Sequence, residues 1–87
     1  MRLVEERVRG KLYVTELVEQ TRMVEFYVEG ELIGSMDAIE FLDTLARYDN
    51  ETYIHNVNGT PFIYSNVVVN KILRQKEKIN KCLSPKF

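Results

Sequence analysis

His55 is the sole histidine of the chain and so the only side chain whose ordinary pKa lies near neutrality. A general base must stand within hydrogen-bond reach of a nucleophile, yet no serine or cysteine lies close to it in sequence. Its neighbours are Tyr53 and, across a short turn, Phe62 and Tyr64, a setting for a packed aromatic cluster. Cys82, the sole cysteine, falls where a last helix is expected to end. The partial negative charge of a helix C-terminus raises a thiol pKa there, with Lys81 opposing it, so a reactive thiol is not expected. One cysteine also excludes an internal disulfide and a zinc site built from several thiolates, which fits a reducing compartment.

The carboxylates, 13 in all, are numerous enough for some pair to fall at catalytic separation by chance. Glycosidase chemistry needs a cleft as well as two acids, and nothing in the sequence marks one. Asp37 and Glu40 have a structural explanation as helix-capping residues, while Glu25, Glu29 and Glu31 lie around a hairpin. No acidic spacing matches a calcium loop, and Gly10, Gly30, Gly34 and Gly59 occur singly, so no glycine-rich loop cradles phosphate. The sequence therefore assigns no catalytic residue, no cofactor and no metal ligand, and the expected function is non-enzymatic.

What remains is surface. Alternation over residues 22–29 points Val24, Phe26 and Val28 to one side and Met23, Glu25, Tyr27 and Glu29 to the other. The second set, continued by Glu31 and by Glu40 and Asp43 of a following helix, reads as an acidic surface holding a tyrosine and a methionine. Steering charge around an anchor that buries area suits a protein partner with a basic surface. Lys71, Arg74, Lys76, Lys78 and Lys81, near the C-terminus, define the alternative of nucleic-acid binding: they supply phosphate contacts, with few neighbours able to read bases. A further alternative is a homodimer, because Val69, Ile72, Ile79 and Leu83 follow the spacing of a helix-pair seam, interrupted by Lys76.

Charge is strongly segregated along the chain. Residues 1–11 carry +2, residues 16–51 carry −8, residues 52–65 carry none and residues 66–87 carry +5, against a net charge of −1. Such a distribution serves binding through either pole, or lets the poles attract each other within the fold or across a dimer.

These surfaces need elements to hold them. The surest is a hairpin of strands 52–57 and 60–65 joined by Asn58-Gly59, because a tight type I′ turn demands two positive φ angles and these residues supply them. Its pattern puts Tyr53, His55, Val57, Thr60, Phe62 and Tyr64 on one side and Ile54 and Ile63 on the other, with Pro61 marking an edge or a strand start. Strands are also expected at 11–18, 22–29 and 31–34, and residues 1–10 lean towards strand. A helix over 37–48 is capped by Asp37, with Ser35 as the other candidate, and buries Ala38, Phe41, Leu42, Leu45 and Tyr48. Asp49-Asn50-Glu51 ends it. A second helix over 66–82 is capped by Asn66 and stopped by Ser84-Pro85.

The expected fold is a single small α+β domain over residues 1–87. A mostly antiparallel sheet of four to six strands carries two helices, in the order ββα-ββα after an N-terminal β segment. No apolar run approaches the roughly 18 to 20 residues that span a bilayer, so a cytoplasmic protein that does not enter the membrane is expected. The expected function is a small protein-protein interaction module. One form of it is an inhibitor or modulator of nucleic-acid-handling machinery, of the kind small phage and mobile-element proteins use, with acidic groups standing in for phosphates.

Overall fold

The computed structural model describes residues 1–47 and 52–83, the side chains of Thr52, Tyr53 and Cys82 apart. The expected end of the first helix at Tyr48, its Asp49-Asn50-Glu51 stop, the Cys82 thiol and the Ser84-Pro85 stop lie outside the described residues.

Three two-residue turns organise the strands. Asn58-Gly59 has φ of 49° and 87°, and Arg9-Gly10 (52°, 81°) and Glu29-Gly30 (51°, 80°) repeat the geometry. Both central residues are left-handed, as a type I′ turn requires, and glycine takes the second position without a steric penalty. The turns join β1 (Arg2–Val8) to β2 (Lys11–Val18), β3 (Met23–Val28) to β4 (Glu31–Asp37), and β5 (Thr52–Val57) to β6 (Thr60–Ser65). The first four strands form one antiparallel sheet in the order β1-β2-β3-β4, and β5-β6 forms a separate two-stranded sheet. The N-terminal segment is thus a full edge strand. β4 runs three residues past the expected Gly34, because Ser35, Met36 and Asp37 continue to pair with β3.

Cross-strand partners share a side of a sheet, so the register decides what is core. Val4, Thr15, Phe26 and Gly34 form one row on the inner side, and Leu17, Val24 and Met36 form another. Against that side pack the β5-β6 hairpin and three helices, α1 (Ala38–Arg47), α2 (Asn66–Arg74) and α3 (Lys76–Leu83). The Phe26 ring meets Phe62 at 5.2 Å and Phe41 at 5.8 Å, edge to face. The Thr15 and Tyr64 hydroxyls bond each other at 2.7 Å in the buried interior. The hairpin faces divide as its sequence predicts: Val57, Phe62 and Tyr64 are buried, whereas Ile54 and Ile63 are 57% and 50% exposed. This is the α+β arrangement expected, with helices on one face of an antiparallel meander. Among the described residues no helix is long and apolar enough to cross a membrane.

The helix termini show one agreement and two corrections. The Asp37 carboxylate accepts from the backbone N-H groups of Ile39 (3.0 Å) and Glu40 (3.1 Å), so Asp37 caps α1, and Ser35 stays within β4. Ser65, not Asn66, caps α2: the last strand residue is already extended (φ −69°, ψ 161°), and its hydroxyl accepts from the Val68 N-H. The single helix expected over 66–82 is two helices. Gln75 closes α2 (φ −95°, ψ 6°) with its N-H on the Ile72 carbonyl, and α3 starts at the next residue. No glycine or proline announces that break. It leaves both short apolar stripes, Val69 with Ile72 and Ile79 with Leu83, in the core.

Gly34 marks a close approach of the two layers. A Cβ there would stand 2.7 Å from Val57 Cγ1 and 3.1 Å from Asn58 Nδ2, while the Asn58 amide donates to the Ile33 carbonyl at 2.7 Å. Gly34→Ala should therefore cost about 1–3 kcal/mol, the usual range for overpacking. In urea denaturation the added Val57→Ala change should cost less in the Gly34→Ala background than in the parent. Simple additivity would show that the contact does not set the layer spacing.

Candidate binding surface

Among the described residues, no helix or further strand packs on the outer side of the four-stranded sheet. Its register builds two rows: Glu5, Val14, Tyr27 and Leu32 run across the strands, and Arg2, Glu16, Glu25 and Ser35 run beside them. Val14 is only 7% exposed although it stands outside the main core cluster, and Leu32 is 51% exposed. The first row is thus apolar through its middle and open at one end.

The second row is electrostatically loaded. Glu16 and Glu25 face each other directly across β2 and β3, and like charges so placed repel by about 0.2–1 kcal/mol. Arg2 relieves one of them, with Nε 3.7 Å from Glu16 and Nη1 3.1 Å from Glu5. The other is met by the Tyr27 hydroxyl, which donates to Glu25 Oε1 at 2.8 Å. That bond raises the Tyr27 pKa above its ordinary value, with partial desolvation and the charges of Glu25 and Glu16 adding to it. Glu25→Gln should lower the Tyr27 pKa, measured by ultraviolet titration of the phenolate. An unmoved titration would mean that the pair does not persist in solution.

The seven residues expected on one acidic surface do not share a face. Met23, Glu25 and Tyr27 do lie on the outer side, whereas Glu29 belongs to the turn, with Oε1 accepting from the Leu12 N-H at 3.1 Å. Glu31 pairs with Val28 and so belongs to the inner side, at the hairpin end. Glu40 and Asp43 ride on α1, which packs through Phe41 against the inner side. The sequence reading extended one surface through a hairpin and a helix without the register that separates them. It also missed Glu16 and Glu19, which line a shallow depression with Met1, Gln20, Glu25 and Tyr27. Antiparallel pairing across the turn at residues 19–22 is the signal that would have placed Glu16 opposite Glu25.

The basic residues lie in the other layer. Lys71, Arg74, Lys78 and Lys81 are exposed on α2 and α3, while Lys76 is half-buried and shares a groove with Asp43, Arg22 and Leu83. Among the described residues the ion pairs closer than 4 Å are both made by Arg2, so no close ion pair joins these helices to the acidic strands. The expected dimer seam is a correction. Val69, Ile72, Ile79 and Leu83 are 7%, 0%, 1% and 4% exposed within the chain's own core, so the stripe is buried inside the chain and is not free to form a helix-pair seam.

His55 lies in the aromatic cluster, stacked on Phe26 at 5.2 Å and 29° and edge-on to Phe41 at 6.3 Å. Burial lowers its pKa, with the Glu40 charge pulling weakly the other way. The folded chain therefore holds this proton less tightly than the unfolded chain. Stability should be fullest above the ordinary histidine value of about 6.5 and fall as pH drops through it towards the lower folded value. Denaturant melts between neutral and mildly acidic pH should show that loss, and His55→Gln should flatten it. Among the described residues no group of three or more histidine, cysteine or acidic side chains converges as a metal ion would need. No family model, curated protein or solved structure matches the chain.

Proposed function

We propose that this protein is a non-enzymatic binding module whose outer sheet face docks a protein partner with a basic surface. The observation that carries the proposal is the Glu16–Glu25 pair set beside the Val14–Tyr27–Leu32 row. A partner cation placed between the two carboxylates removes their repulsion, and the adjoining row offers an aromatic and an aliphatic side chain for burial. Glu5, Glu16, Glu19, Glu25 and Glu29 outnumber Arg2 and Arg7 on and around this face, so the field steers positive charge towards an apolar anchor. An inhibitor or modulator of nucleic-acid-handling machinery is one form of such a module, since its targets carry basic surfaces made for phosphate. A cytoplasmic setting is part of this reading.

The test is capture of partners from the native host followed by binding measurements with variants. Glu16→Lys combined with Glu25→Lys should slow association with the relevant partner at least tenfold at low salt and reduce its salt dependence. Tyr27→Ala should mainly speed dissociation. Unchanged binding of the charge-reversed variant to every captured partner would overturn the proposal.

A second reading rests on the exposure of Lys71, Arg74, Lys78 and Lys81, which none of the close ion pairs engages. These cations then neutralise phosphates. Affinity for a random duplex should fall steeply with salt, with a shallower slope after Arg74→Gln and Lys78→Gln. No duplex binding at low salt would remove it.

A further inference from the structure

We infer that β6 accepts a third strand: an extended segment of a partner protein pairs with its free edge, covers β1 with alternate apolar side chains, and presents a basic side chain to Glu6. The site lies on the opposite side of the four-stranded sheet from the acidic rows and stands independently of them.

A groove of about 230 Å³ runs between β6 and the inner side of β1 and β2. Four consecutive β6 residues, Pro61 to Tyr64, line it, although Phe62 and Tyr64 point into the core and Pro61 and Ile63 point away. A cavity touches both sets only by running along the strand's backbone edge. From β1, in contrast, it touches Val4, Glu6 and Val8, the alternate residues that face inward. One wall is thus an unpaired strand edge and the floor is a sheet face, which is the space a neighbouring strand fills. Strands sit about 4.8 Å apart within a sheet and layers about 10 Å apart.

The edge is chemically open. A two-residue turn makes Val57 and Thr60 a hydrogen-bonded pair, so alternation turns the peptide groups of Pro61, Ile63 and Ser65 away from β5. Pro61 has no N-H to offer, and its position on this edge costs the hairpin nothing. Ile63 keeps donor and acceptor for a newcomer and Ser65 its N-H, the Ser65 carbonyl being taken up by the first turn of α2, and among the described residues β6 pairs with β5 alone. Two-stranded sheets are marginal alone, and a third strand is the ordinary remedy.

Glu6 specifies what the newcomer carries. It pairs with Tyr13, placing it on the inner side between Val4 and Val8, and it is half-buried. Among the described residues its carboxylate has neither a hydrogen bond nor an ion pair, while Val8 beside it is 38% exposed. A carboxylate in an apolar groove is matched by a lysine or arginine flanked by apolar residues at alternate positions. Arg9, at the groove's end, repels a second cation there.

The test uses the folded protein and two synthetic peptides, Ac-Thr-Val-Thr-Lys-Thr-Val-Thr-NH2 and its counterpart with glutamate for lysine, titrated to millimolar concentration and followed by amide NMR. The lysine peptide should shift the Ile63 and Ser65 amides and bind at least tenfold more tightly than the glutamate peptide. Glu6→Lys should reverse that order. Ile63→Pro removes an outward N-H without touching the β5 ladder, and should abolish binding while the remaining spectrum stays folded. Equal affinity for the two peptides, silence at both amides, or a doubled protein mass showing that a second copy fills the groove would each overturn the inference.

Discussion

Everything in this molecule hangs on Phe26, whose fully buried ring is the place where two layers meet. Phe41 reaches it from α1, Phe62 from β6 and His55 from β5, so the ring touches three elements that do not otherwise share a sheet with it. A chain of 87 residues buries a modest share of its surface, and a central aromatic concentrates that burial where one residue can serve several neighbours. The Thr15–Tyr64 hydroxyl pair beside it makes the interface specific, because the buried Thr15 hydroxyl finds its hydrogen-bond partner on β6. The hairpin is therefore placed as well as attracted.

This placement separates the charges. Elements rich in lysine lie on the inner side of the sheet, and the Glu16–Glu25 row lies on the outer side. A chain with opposite poles in sequence can fold them together and cancel them. Here the close ion pairs among the described residues stay within β1 and β2, so none of them joins the lysine-rich helices to the Glu16–Glu25 row.

Local chemistry was legible in the sequence, and side-of-sheet relationships were only partly so. Asn58-Gly59 announced its turn, Asp37 its cap, and the alternation of Val24, Phe26 and Val28 a core side. Arg9-Gly10 and Glu29-Gly30 adopt the same turn with a first residue that gives weaker notice, since arginine and glutamate take positive φ less readily than asparagine. Ser65 displaced Asn66 as cap because the choice depends on where the strand ends, and both residue types cap well. The break at Gln75 left no mark in residue type. The acidic surface was over-extended for a different reason: periodicity assigns a face within one element, and only pairing between elements decides whether two such faces coincide. Glu16 and Glu25 needed the β2-β3 register, and Glu40 needed the side on which α1 packs.

The three repeated turns bear on how the chain finds its fold. Each closes a loop of only two residues, so the hairpins they define are local and cheap to nucleate, and hairpins of this kind form in about 1–10 μs. Two hydrogen bonds span much more chain: Asn58 to Ile33 over 25 residues and Thr15 to Tyr64 over 49. The entropic cost of ordering falls on these joints, which fasten a hairpin already able to form onto a meander already able to form. Docking the hairpin on the meander is therefore the step in which the long-range contacts form.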